Sequence, residues 1–280
     1  MPELGVVIMS VGAPPMLVDA VHSLLVQSVP AELVVVNSGG GDARARLRDA
    51  GFVVPVVECD GLLLPGATRN KGIAATKAPF LAFLAMDCLA GPEWTAARVR
   101  AHRAGAKLVA SSLLPDRIRS PIAWGSHLAL HARRLPGTPA KEAALYGVSY
   151  ARELFDRFGC FDEGLRIGED SEFNARVAAA GTPVWTPEVC TVHRAPTNPM
   201  AFLLEQHERG RRAGELIRNQ GRVLGRKDLQ RIQRMRTELS LRMARIAVHP
   251  DHRRAAIMAK PLVRLAHATY IRGVAKGNRT

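Results

Sequence analysis

The first 113 residues alternate short apolar runs with stretches of helical period. LGVVIM (4–9) is an uninterrupted apolar run, the pattern of a strand buried on both faces of a parallel sheet. Pro14-Pro15 opens a helical segment with Leu17, Val21, Leu24, Leu25 and Ser28 on one face. LVVVN (33–37) is a second strand, followed by the turn SGGGD and a short Arg-rich helix over 42–50. FVVPVVE (52–58) is a third strand, which its proline assigns to a sheet edge. A helix over 66–77, a strand APFLAFLAM (78–86), a helix over 92–105 and a strand KLVASSL (107–113) continue the alternation. The 92–105 helix has Pro just inside its start and Gly at its end. This order predicts an α/β fold: an open, mostly parallel, Rossmann-like sheet with helices on both faces.

Beyond residue 114 the pattern changes. Four prolines between 114 and 145 predict a loop-rich segment. Residues 227–248 then place Leu229, Ile232, Met235, Leu239, Met243 and Ile246 at helical spacing, with Arg231, Arg234, Arg242 and Arg245 mostly off that stripe. Residues 255–275 repeat the character, with apolar Ile257, Met258, Leu262, Leu265, Tyr270 and Ile271 against Lys260, Arg264, Arg272 and Lys276. The expected organisation is a domain over 1–200 and a basic amphipathic helical region over 201–280.

Charge sharpens that division. Of the net +14, residues 1–200 carry 20 Lys and Arg against 19 Asp and Glu, and residues 201–280 carry 19 against 6. Such a tail seeks an anionic surface, and basic amphipathic helices lie in the headgroup region of anionic membranes. The alternative is packing of these helices on the body or in a homodimer, with their arginines in water. Only Phe202 and Tyr270 supply aromatics in these 80 residues, which argues against nucleic acid. Four cysteines without CxxC spacing fit a reducing compartment rather than a disulfide scaffold or zinc ribbon. With neither a signal-peptide pattern nor a long uncharged apolar run, the expected location is cytoplasmic, with peripheral attachment to the inner face of the plasma membrane as its extension.

Ligands of open α/β sheets bind beyond the carboxyl ends of the strands, which directs attention to Asn37-Ser38-Gly39, Glu58-Asp60-Gly61 and Asp87-Cys88. Asp87 follows a hydrophobic strand and is suited either to Mg²⁺ or Mn²⁺ or simply to ending the strand. In GEDSEFNARV (168–177), Glu169, Asp170 and Glu172 occupy a first helical turn, where the helix dipole alone accounts for acids. Asp170 is also placed to serve as a general base. Arg69, near a helix start in GATRNKG, suits a phosphate or an ordinary surface position equally. His193 ends a β-type run and is either structural or a metal ligand.

Taken in order, QSVP (27–30), ELVVVNSGGGD, GATRNKGI, APFLAFLAMDC, GPEW and GEDSEFNARV resemble the family 2 glycosyltransferases, whose fold is the nucleotide-sugar-binding GT-A fold. The resemblance covers about residues 1–195. It implies an inverting transfer from a nucleoside-diphosphate sugar to an acceptor hydroxyl, with Asp170 as base and Glu169 beside it. Asp87, with His193, would hold Mg²⁺ or Mn²⁺. Asn37, Ser38, Asp60, Arg69 and Asp87 would face the donor. The sequence departs from the family where paired acids usually follow the second strand, at Asn37 and Ser38, and in Ala85-Met86-Asp87, which stands for the usual Asp-x-Asp. A lipid-linked or cell-envelope glycan acceptor would give the basic tail a purpose. A nucleotidyltransferase lacks support, because its Gly-rich N-terminal loop and activating lysine are missing. A degenerate nucleotide-sugar-binding module without turnover, docked by its tail on membrane or nucleic acid, is the alternative that the departures keep open.

Overall fold

The structure is a computed structural model and describes residues 1–279. Its strands are β1 (Leu4–Val11), β2 (Glu32–Ser38), β3 (Val56–Glu58), β4 (Phe80–Ala85), β5 (Cys88–Ala90), β6 (Leu108–Pro115), β7 (Ser149–Ala151) and β8 (Val184–His193). They form one eight-stranded sheet in the order β3-β2-β1-β4-β7-β6-β8-β5. The first four in that order are mutually parallel. β7 runs antiparallel to β4 and β6, and β5 pairs antiparallel with β8.

Alternation along β1 shows why the sheet is covered on both sides. Leu4, Val6 and Ile8 enter one apolar cluster with α1 (Met16–Leu25), α2 (Ala43–Asp49) and α4 (Trp94–Arg103). Val7 enters the other, with α3 (Pro65–Ala74), α6 (Glu153–Phe158) and α7 (Glu169–Arg176). Each fully buried aliphatic side chain contributes roughly 1.5–3 kcal/mol. Gly72 lets α3 lie directly on β1, since a Cβ there would stand 2.2 Å from a methyl of Val7.

Some elements differ from their sequence patterns. Leu25 is exposed, and α1 buries Leu17, Ala20, Val21 and Leu24 instead. The third strand shrinks to Val56–Glu58 beyond Pro55 and does lie at the sheet edge. β5 has no counterpart in the apolar pattern, being three residues long.

The chain divides into two compact units. The first comprises residues 1–112 and 145–193, and the second 113–144 and 194–280. This division differs from the expected boundary at 200, because the segment read as loop-rich joins the C-terminal helices. It contains α5 (Pro121–His131), begun by Pro121 and capped by Ser120, whose hydroxyl accepts from the Ala123 amide. The prolines punctuate this segment without dissolving it.

The second unit also holds α8 (Pro199–Asn219), α9 (Arg226–Ile246), α10 (Arg253–Met258) and α11 (Lys260–Arg279). Trp124 and Leu128 of α5 pack with Met243 and Ala244 of α9, Ala256 of α10 and Val263 of α11. The buried face of α9 includes Leu229 and Met243 from the expected stripe but leaves Met235 and Ile246 exposed. In α10 and α11, Ile257, Met258 and Leu265 face outward. The core side of α11 keeps Ile271 from the expected stripe and adds Val263, Val274 and small residues. Added Cβ atoms at Gly210 and Gly214 would come within 2.0 and 2.3 Å of the Tyr270 and Val274 carbonyl oxygens. At Gly273 and Gly277 they would meet the His207 and Arg211 carbonyl oxygens, each at 2.0 Å. Two Gly-x₃-Gly pairs thus set α8 and α11 backbone against backbone. None of the described helices is long and apolar enough to cross a membrane.

Candidate active site

The carboxyl ends of the four parallel strands share one edge, with Val11 of β1 beside Ser38 of β2, Asn37 beside Glu58 of β3, and Met9 beside Ala85 of β4. Asn37 is buried, and its side chain serves the loops there. Its Oδ1 accepts from the Ala13 amide at 3.0 Å, and its Nδ2 donates to Glu58 Oε2 at 2.7 Å and to the Gly40 carbonyl at 3.0 Å. Glu58 also accepts from the Ala43 and Arg44 amides, so its charge sits at the positive end of α2. Ala13 is held at φ +45°, which costs a non-glycine residue conformational energy and marks this loop as constrained. Ser38 is wholly buried, and its hydroxyl has no hydrogen-bond partner among the described residues. Asp60, past the end of β3, is exposed.

A second group lies where β4 turns into β5. Antiparallel pairing sets Cys88 of β5 directly opposite His193 of β8, which brings both side chains to one face. Asp87 precedes them in the turn. His193 Nε2 is 3.6 Å from Asp87 Oδ2, and the Cys88 thiol donates to Asp87 Oδ1 at 3.5 Å. Burial raises the Asp87 carboxyl, but the hydrogen bond and charge of His193, with help from Cys88, leave it below its ordinary value. Burial pushes the Cys88 thiol far up, and the Asp87 charge adds to the effect. Asp87, Cys88 and His193 each offer one donor atom, all within 4.8 Å of one another. Carboxylate, imidazole and thiol in one half-exposed corner fit a divalent transition-metal ion.

The neighbouring cavity, of about 120 Å³, is lined by Arg69, Phe83, Tyr146, Tyr150, Asp170 and Asn174 among others. Tyr146 connects the two places, since its hydroxyl is 3.7 Å from Cys88 Sγ while the residue lines the cavity. Asp170 stands at the start of α7, entered through Gly168 at φ +89°, a conformation that a Cβ would strain. Asn174, one turn later, accepts from the Tyr150 hydroxyl at 3.0 Å. Glu172 and Arg176, four residues apart, pair at 2.6 Å and secure the same helix.

Arg69 and Glu169 occupy positions different from the simplest reading of the sequence. Glu169 is buried and forms an ion pair with Arg69, whose guanidinium lies 5.5 Å from the ring centre of Phe83 and 5.2 Å from that of Phe161. Arg69 is therefore a partly buried, partnered cation in the cavity wall. Trp94 belongs to the core, donating to Thr191 Oγ1 at 2.9 Å. Sequence reasoning passed over Cys88 as a donor, and over Tyr146 and Asn174. The four-residue spacing from Asp170 to Asn174 was a usable signal; Tyr146 sits in an irregular loop and carried none.

No family profile matches the sequence, and no curated protein matches it. Among solved structures the chain is similar to a mannosyltransferase from Pyrobaculum calidifontis in complex with GDP-Man and Mn²⁺. The identity is 15% and the TM-score 0.55, over 95% of this chain and 86% of that one. It is also similar to the glucosyl-3-phosphoglycerate synthase of Mycobacterium tuberculosis in complex with Mn²⁺, UDP and glucosyl-3-phosphoglycerate. There the identity is 21% and the TM-score 0.48, over 73% of this chain and 77% of that one. The first likeness shows the fold alone: the open sheet with helices on both faces is a GT-A fold, as the resemblance implied.

Proposed function

We propose that this chain transfers a sugar, with inversion, from a nucleoside-diphosphate sugar to an acceptor hydroxyl. One observation carries the reading. On a GT-A fold, the Asp87–Cys88–His193 group adjoins, through Tyr146, a cavity that holds Asp170. Asp87 and His193 would hold the divalent ion, Mn²⁺ or Mg²⁺, which supplies positive charge against the departing diphosphate. Asp170 accepts the proton of the acceptor hydroxyl as that oxygen attacks the anomeric carbon. Glu169 acts from behind, fixing Arg69 so that its guanidinium keeps one position in the cavity wall. Asn37 shapes the loop over β2 through Glu58, leaving exposed Asp60 and the backbone there for contact with the donor, with Ser38 buried beneath them.

The basic unit supports a membrane-facing role, with a lipid-linked or cell-envelope acceptor. Exposed Met235, Ile246, Ile257, Met258 and Leu265 stand on helices that also expose Arg231, Arg234, Arg245 and Arg264. Apolar side chains among arginines suit the headgroup region of an anionic bilayer. The same faces would serve a homodimer if the chain pairs.

The test is a thermal-shift screen of nucleotide sugars with and without Mn²⁺, followed by a transfer assay. A bound donor raises the melting temperature by mass action. Chelation is expected to weaken donor binding about tenfold or more, given the charge it removes from the diphosphate. Donor binding unaffected by chelation counts against the metal site. A second reading, a nucleotide-sugar-binding module without turnover, draws on the internal use of Asn37 and Arg69. Donor binding with neither hydrolysis nor transfer would favour it.

A further inference from the structure

Cys88 is a residue that the proposed reaction does not use. Its side chain is 1% exposed and joins an apolar cluster, yet its sulfur also meets polar groups. Sγ lies 3.5 Å from Asp87 Oδ1 and 3.7 Å from the Tyr146 hydroxyl, and it stands across the strand pair from His193. The antiparallel register fixes that placement, because directly opposed residues share a face. The sulfur, the carboxylate oxygen and the imidazole nitrogen are mutually within 4.8 Å, close enough to share one ion after small side-chain rotations. Asp87 and His193 are partly exposed, with side-chain accessibilities of 43% and 28%, which leaves an approach from solvent.

We infer that Cys88 is a third protein ligand of the metal held by Asp87 and His193, and that its sulfur makes the site favour a borderline cation such as Co²⁺ or Zn²⁺ over Mg²⁺. The inference rests on the metal reading given above. Magnesium demands oxygen donors and dehydrates reluctantly, whereas a sulfur and an imidazole nitrogen suit first-row transition ions. On binding, the sulfur–metal bond forms as the thiol proton passes to water. Tyr146 is placed to donate its hydroxyl proton to the resulting thiolate, the kind of outer contact that orients a ligand. Three protein donors leave coordination positions open, as catalytic metal sites do.

The experiment is a Co²⁺ titration of the full chain after chelator treatment, with bound metal measured by equilibrium dialysis and the near-ultraviolet spectrum recorded. The expected result is one bound equivalent with a thiolate-to-cobalt charge-transfer band. In Cys88→Ser the band is lost, Co²⁺ binding weakens about tenfold or more, and Mg²⁺ binding stays within about a factor of two. A variant in which Cys59, Cys160 and Cys190 are all replaced by Ser keeps the band, which ties it to Cys88 even if Cys88→Ser folds poorly. Co²⁺ bound without the band, or a band that depends on another cysteine, overturns the inference and leaves the Asp87–His193 site standing. A chain that takes up no Co²⁺ at all removes the metal reading itself, and this inference with it.

Discussion

The two units solve different problems with different materials. The first carries 14 Lys and Arg against 17 Asp and Glu, and the second 25 against 8. The first fills its interior with aliphatic and aromatic side chains on both faces of a sheet, including a close group of Phe83, Tyr150, Phe155, Phe161 and Phe173. The second brings two of its longest helices together on glycine, so that backbone meets backbone. Its larger apolar residues are then divided between a modest core and the surface. The contrast teaches that the nearly neutral unit is organised around a cleft, whereas the cationic unit is organised to present its outside.

The strongest way to break this contrast is at the cleft. Asp170→Asn is expected to lower transfer by roughly 10³-fold, within the range for loss of a general base, while the melting temperature stays unchanged. Full activity in the purified variant would show that the chemistry lies elsewhere.

A packing test separates the two interiors. Gly273→Ala sets a methyl against the His207 carbonyl and is expected to destabilise the second unit by about 3 kcal/mol, measured by urea unfolding. Gly61→Ala in the first unit, where an added Cβ meets nothing within 4 Å, is the control and should be nearly neutral.

Acid should act on both units, through buried His102 in the first and buried His267 in the second. Burial pushes His102 and His267 down to about 4, with the Arg236 charge adding to the effect at His267. His102 lies between the Ala106 carbonyl and the Ser149 hydroxyl, stacked on Phe80, and His267 faces Thr237 Oγ1. The folded values lie below the unfolded one of about 6.5, so the unfolded chain takes up protons first. Stability is therefore full above pH 6.5, falls between about 6.5 and 4, and levels off below that. Each histidine is expected to cost about 2–3 kcal/mol by pH 4.5. Urea melts of the single His→Gln variants, compared at pH 7 and 4.5, would assign the loss to each unit.

The smallest expected effect concerns the outside of the basic unit. Replacing Arg231 and Arg245 by Gln should weaken binding to anionic vesicles about thirtyfold, at about 1 kcal/mol per arginine near the surface. Binding that is insensitive to both the substitutions and salt would exclude an electrostatic attachment.

The sheet was legible because period and length decide it. LGVVIM and FLAFLA leave no alternative to buried strands, and four of them fix the edge on which a ligand sits. Asp87 and His193 were found as candidates from strand ends, but their meeting depends on the register of β5, a three-residue strand that leaves no pattern. The pairing of Arg69 with Glu169 joins residues 100 positions apart and could not be read locally. α5 was missed because its flanking prolines outweighed an apolar stretch with no clear polar face. In α11 the apolar pattern found Ile271 but not the glycines on the same buried side: a helix approaches its neighbour most closely where its side chains are smallest, and hydropathy assigns glycine little weight.

The facing glycines of α8 and α11 have a mechanical corollary. Where these glycines meet, no side chain stands between the backbones to repack, so a roll of either rod about its axis drives carbonyl oxygen toward Cα. The azimuth of each is locked, so Arg272, Lys276 and Arg264 are aimed by the chain's own spine and hold their bearing whether or not anything negatively charged is near.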